Sequence, residues 1–146
     1  MDFTKRRNVN RGYMKLDVWN RAIDLFKLTN DLIGNTNHID IRLRSQILGA
    51  VQSVSANIAE GYCRRSLKEY IQFLHIALGS SGEAFTRMIG LKHSGQLSND
   101  LFEKFDILHY ETENKLISLV KSLQKKRASE NWNDQLADIQ TWRGRE

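Results

Sequence analysis

The chain has 146 residues, 40% hydrophobic, 27% charged and 9% aromatic, with no proline, one cysteine and a net charge of +5 at pH 7. That length and composition suit one folded domain rather than a disordered segment, and a lone Cys63 excludes an internal disulfide framework. No window approaches the roughly 18 apolar residues of a membrane span, and no apolar run follows the positive start, so a cytoplasmic protein is expected.

Residues 1–15, "MDFTKRRNVNRGYMK", form a basic N-terminal arm of about +4. Beyond it, apolar residues recur at helical spacing and period-2 alternation is nowhere sustained. The spacing predicts a first helix over about 16–33, with Trp19, Ala22, Ile23, Phe26, Leu32 and Ile33 on its inner face and Gly34 as its stop. A second is predicted over 41–65, with Ile47, Val51, Val54 and Ile58 as its seam.

Ser66 and Glu69 have the spacing of a reciprocal capping box, which opens a third helix running to about His93. Its predicted inner face is Tyr70, Phe73, Ala77, Ala84, Met88 and Leu91. "GSSG" at 79–82 lies in mid-helix, where each glycine costs about 1 kcal/mol against alanine. Either it lets this helix approach Ala50 and Ser53 of the second closely, or it marks a kink.

Gly95 breaks the pattern, and Ser98, Asn99 or Asp100 can cap a fourth helix. Its seam reads Leu101, Phe105, Leu108, Thr112, Leu116, Leu119 and Leu123, with balanced charges outside. Residues 127–146 carry Trp132, Leu136, Ile139 and Trp142, fitting either a short fifth helix or a tail. The expected fold is all-α: an antiparallel up-down four-helix bundle over residues 16–126.

Two basic groups emerge when the second and third helices are folded as a hairpin. Arg64, Arg65 and Lys68 gather at the turn, and Arg42, Arg44, Arg87 and Lys92 at the other end. Such clusters suit a phosphate backbone, because neutralised phosphates release counterions. No nucleotide loop or nucleophile elbow is present, so neither an enzyme nor a cofactor is expected. A di-iron bundle needs two Glu-x-x-His pairs, and only Asp106 with His109 has a comparable spacing. His38, His75, His93 and His109 are read as surface or boundary residues.

"LDVWNRAIDL", "QILGAVQSVSANIAEGYCR" and "SLKEYIQFLHIALGSSGEAFTRM" together resemble the four-helix-bundle proteins encoded by intervening sequences of bacterial large-subunit ribosomal RNA genes. The resemblance covers about residues 14–125. It implies a ring-like homopentamer without established enzymatic activity. A more distant likeness to the accessory variability proteins of diversity-generating retroelements implies a nucleic acid, RNA or DNA, and a reverse transcriptase as partners.

The family pattern falls on Asn57, Ile58, Ala59, Glu60 and Gly61, then on Phe73, Ala77, Gly79, Ser80 and Glu83. These are read as architectural, with Gln46, Ala50, Ser53, Asn57, Glu60 and Arg64 forming a stripe toward the third helix or another subunit. The basic residues remain as the nucleic-acid candidates. The alternative function is a protein-interaction scaffold whose charge is incidental.

Overall fold

The computed structural model describes residues 11–129. After a 3-10 turn at Gly12–Lys15 come α1 (Asp17–Ile33), α2 (Ile41–Tyr62), α3 (Leu67–His93) and α4 (Asn99–Ala128), and no strand occurs among the described residues. Each helix packs on its chain neighbours and α4 closes back on α1, giving the four-helix bundle expected from the periodicity. The expected fifth helix, and residues 1–10 of the basic arm, lie outside the described residues.

Local chemistry sets the helix starts. Asp40 accepts hydrogen bonds from Arg42 N and Leu43 N, Ser66 Oγ from Glu69 N, and Ser98 Oγ from Leu101 N. Each satisfies amide groups that have no partner in the first helical turn. Of the reciprocal pair expected at Ser66 and Glu69, only the bond to Ser66 Oγ forms among the described residues. Gly95 takes a positive φ of 78°, which lets the chain leave α3 and reverse. Helix α2 ends at Tyr62 rather than near residue 65, because Cys63 N closes the last turn onto Ala59 and Glu60 carbonyls.

The core divides along the bundle axis. One half joins Val18, Val54, Ile58, Tyr62, Leu67, Tyr70, Leu74, Leu116, Val120 and Leu123; the other joins Leu25, Ile33, Ile47, Val51, Ala84, Met88, Leu97, Phe102 and Phe105. Polar contacts lie between them. Ser80 Oγ donates to Ser53 Oγ at 2.9 Å, Asn57 Nδ2 donates to Ser53 Oγ at 2.8 Å, and His109 Nε2 reaches Ser81 Oγ at 2.9 Å. A sliding of α3 against α2 or α4 would leave these groups without partners, so the layer fixes register.

The α2 seam is buried as expected, with Ile47, Val51, Val54 and Ile58 at 1% exposure or less. In α1 the buried line is instead Val18, Ala22, Leu25, Thr29 and Ile33, while Ile23 faces outward. The predicted stripe was turned to one side because Trp19 and Phe26, half-buried at the flank, weigh heavily in any apolar pattern.

"GSSG" also works differently from either expectation. A Cβ added at Gly79 or Gly82 would meet nothing within 4 Å, so neither glycine faces another helix. Ser80 and Ser81 between them make the inter-helix bonds, and α3 runs through the run unbroken. The close approach of α2 and α3 is at Gly61, where an added Cβ would lie 2.8 Å from Phe73 Cβ and 3.1 Å from the Tyr70 carbonyl oxygen.

Candidate nucleic-acid interface

Up-down topology sorts the charged residues by end. The near pole carries the 3-10 turn, the α2–α3 turn and the carboxyl end of α4, tied together by the core half that holds Tyr62, Leu67 and Leu123. The far pole carries the α1–α2 and α3–α4 connections.

At the near pole, Arg64, Arg65 and Lys68 sit on or beside the turn, with Arg11 and Lys15 at the 3-10 turn and Lys121, Lys125, Lys126 and Arg127 on the last turns of α4. Only Asp17, Glu60 and Glu69 oppose them there. Arg64 is partly engaged: its guanidinium bonds Glu60 at 2.8 Å and lies 4.6 Å from the Phe73 ring centroid. Arg65, Lys68, Lys121, Lys125 and Lys126 are exposed, without an ion-pair partner among the described residues. The α4 cations also face the negative end of their own helix dipole, so one set of charges favours the helix and makes the pole basic.

The far-pole candidates are differently placed. Arg44 donates to the Gly34 carbonyl at 2.8 Å, fastening the α1–α2 connection. Arg87 is held between Glu83 at 3.3 Å and Gln46 at 2.9 Å, bridging α3 to α2. Lys92 lies 4.9 Å over the Phe102 ring, and Arg42 is exposed. Asp31, Asp40, Asp100 and Glu103 share this end, so its net charge is near balance.

The remaining family-pattern residues lie along the α2–α3 contact. Asn57 and Ser80 meet through Ser53, Glu60 holds Arg64, Glu83 holds Arg87, and Gly61 occupies the tight crossing. The sequence reading missed the basic end of α4. Its balanced total hides a split, with Asp100, Glu103, Asp106, Glu111 and Glu113 in the first half and Lys121, Lys125, Lys126 and Arg127 in the last turns. Position along the helix, rather than total charge, is the signal that finds it.

His109 was read as a surface or boundary residue; it is buried, at 3% exposure. It lies between Phe85 and Phe105, with ring centroids 5.0 and 5.4 Å away. Among the described residues, no three His, Cys, Asp or Glu side chains are placed to hold a metal ion. No described helix is long and apolar enough to cross a membrane.

Residues 14–126 match the family model described as 23S rRNA-intervening sequence protein. The chain belongs to this family. The match runs through all four helices of this intervening-sequence protein and takes in every near-pole cation named above except Arg11 and Arg127. No curated protein is significantly similar to it.

Among solved structures, the intervening-sequence protein is similar to a Bacteroides thetaiotaomicron VPI-5482 protein described as of unknown function and from the S23 ribosomal protein family. The two are 25% identical, with a TM-score of 0.63, over 71% of this chain and 95% of the other.

Proposed function

We propose that this intervening-sequence protein is a non-enzymatic, self-associating bundle that binds RNA through its near pole, gripping phosphates with little regard to base sequence. The observation that carries the reading is the gathering of Arg65 and Lys68 from the turn with Lys121, Lys125 and Lys126 from α4, all exposed and opposed by few acids. Lysine and arginine contacts to phosphate position a nucleic acid but carry no sequence information. Assembly as a pentamer belongs to the same proposal and rests on the family resemblance.

The test is anisotropy of a labelled single-stranded RNA across a salt series. Each neutralised phosphate contributes about 0.7 to the slope of log affinity against log salt for single strands. Replacing Arg65, Lys68, Lys121, Lys125 and Lys126 together by glutamine is expected to flatten that slope by up to about 3 and weaken two unrelated RNA sequences equally. Affinity that ignores salt, or survives the five replacements, refutes the reading.

A second reading, a scaffold that docks another protein such as a reverse transcriptase, is favoured by Ile107 and Tyr110, which are 54% and 66% exposed on α4. Recovery of one stoichiometric protein partner after nuclease treatment, without salt-dependent RNA binding, selects it.

A further inference from the structure

We propose that the cleft between α3 and α4 at mid-height is a binding site for an alkylguanidinium group. It has a volume of about 240 Å³ and is lined by Gly82, Phe85 and Thr86 of α3 and by Asp106, His109, Tyr110 and Glu113 of α4. Asp106 and Glu113 lie three residues before and four after His109, which puts the three side chains on one face of α4. The site is separate from the basic pole and independent of the RNA reading.

The protonation of His109 follows from its bonds. Nε2 lies 2.8 Å from the Ser81 carbonyl oxygen and 2.9 Å from Ser81 Oγ. A carbonyl only accepts, so Nε2 carries the hydrogen, and in the neutral ring Nδ1 holds a lone pair. Nδ1 has no hydrogen-bond partner among the described residues, and neither carboxylate of Asp106 or Glu113 has a hydrogen-bond or ion-pair partner there. A buried imidazole of 3% exposure therefore adds a free acceptor to a cleft that two carboxylates already make acidic.

An occupant must then be cationic and rich in donors. A bare metal ion does not suit, since the described His, Cys, Asp and Glu side chains do not converge on a common point and the cleft is far larger than an ion. A planar guanidinium offers several N–H donors at once and stacks on aromatic faces, and Phe85 and Tyr110 supply rings on either side. Gly82 leaves room for it: an added Cβ there would meet no atom within 4 Å.

The experiment titrates agmatine into the full chain, followed by calorimetry and by the ¹⁵N resonance of His109 Nδ1. Saturable binding with an upfield shift of that resonance is expected, and the neutral analogue butylurea should bind at least tenfold more weakly. The Asp106→Asn, Glu113→Gln double variant removes charge at partly exposed positions, so it should fold normally, lose agmatine at least tenfold and keep its RNA affinity.

Equal binding of agmatine and butylurea, or an unchanged affinity in the double variant, overturns the proposal. Sedimentation with agmatine present separates the two sources of the group. A fall in assembly mass assigns it to an arginine of a second copy, and a constant mass with saturable binding assigns it to a free guanidinium compound; either outcome upholds the site.

Discussion

Replacing Gly61 by alanine pits two effects of similar size against each other. In an exposed helix interior, glycine to alanine gains about 1 kcal/mol of helix propensity. Here the new methyl would stand 2.8 Å from Phe73 Cβ, 3.1 Å from Tyr70 Cδ1 and 3.1 Å from the Tyr70 carbonyl oxygen. Two of these neighbours are fixed to the α3 backbone and cannot rotate away, so the helices must separate. Overpacking of this kind costs about 1–3 kcal/mol, and the rigid neighbours argue for the upper half of that range.

The net expectation for Gly61→Ala is a loss of about 1–2 kcal/mol, or roughly 4–8 °C in melting temperature for a domain of this size. Gly79→Ala and Gly90→Ala provide the internal comparison, because a Cβ at either position would meet nothing within 4 Å. Each should be stabilising by about 0.5–1 kcal/mol. Urea denaturation of the three variants, followed by circular dichroism at 222 nm, measures the difference. A Gly61→Ala variant as stable as the parent would show that α2 and α3 are not held at this spacing.

Loss of the helix caps in Asp40→Ala and Ser98→Ala should cost about 1 kcal/mol each, read from the same urea curves, and the effects should add because the two caps serve different helices. Asp17 accepts from Lys115 at 2.7 Å, and the lysine, with a smaller effect from Arg21, holds its carboxyl below the ordinary value of 3.8. The folded form thus favours the ionised carboxyl, a contribution present above the unfolded value and lost as pH falls through the lower folded one. Carbon-detected titration should place Asp17 below 3.8, and Lys115→Gln should move it back upward; no movement refutes the assignment. Ser81→Ala leaves His109 its bond to the Ser81 carbonyl, so hydrogen exchange should detect only modest loosening, while His109→Leu should cost about 1–3 kcal/mol by stripping that buried carbonyl.

The four helices were legible because their apolar spacing is regular and each connection has its own chemistry, as at Ser66, Gly95 and Ser98. Faces were harder than elements. At Ile23 the apolar pattern pointed inward and the side chain is exposed, since an isolated surface isoleucine carries little penalty. His109 was misplaced for the opposite reason: its burial depends on Ser81, 28 residues earlier in the chain, and no local pattern contains that hydrogen bond. The turn cluster of Arg64, Arg65 and Lys68 was readable as a contiguous run, but its union with the end of α4 requires the topology to bring distant segments to one pole.

The lengthwise split of charge on α4 gives the molecule an electrical direction as well as a mechanical one. Asp100 through Glu113 are anchored toward one end of a 30-residue helix and Lys121 through Arg127 at the other, some tens of ångströms apart at 1.5 Å per residue. A body polarised along its long axis turns in the field of a polyanion before touching it. Collisions then arrive basic end first, with the encounter rate raised at low ionic strength and falling as salt is added. The flanks of the rod, including the α3–α4 cleft, stay clear of the incoming strand.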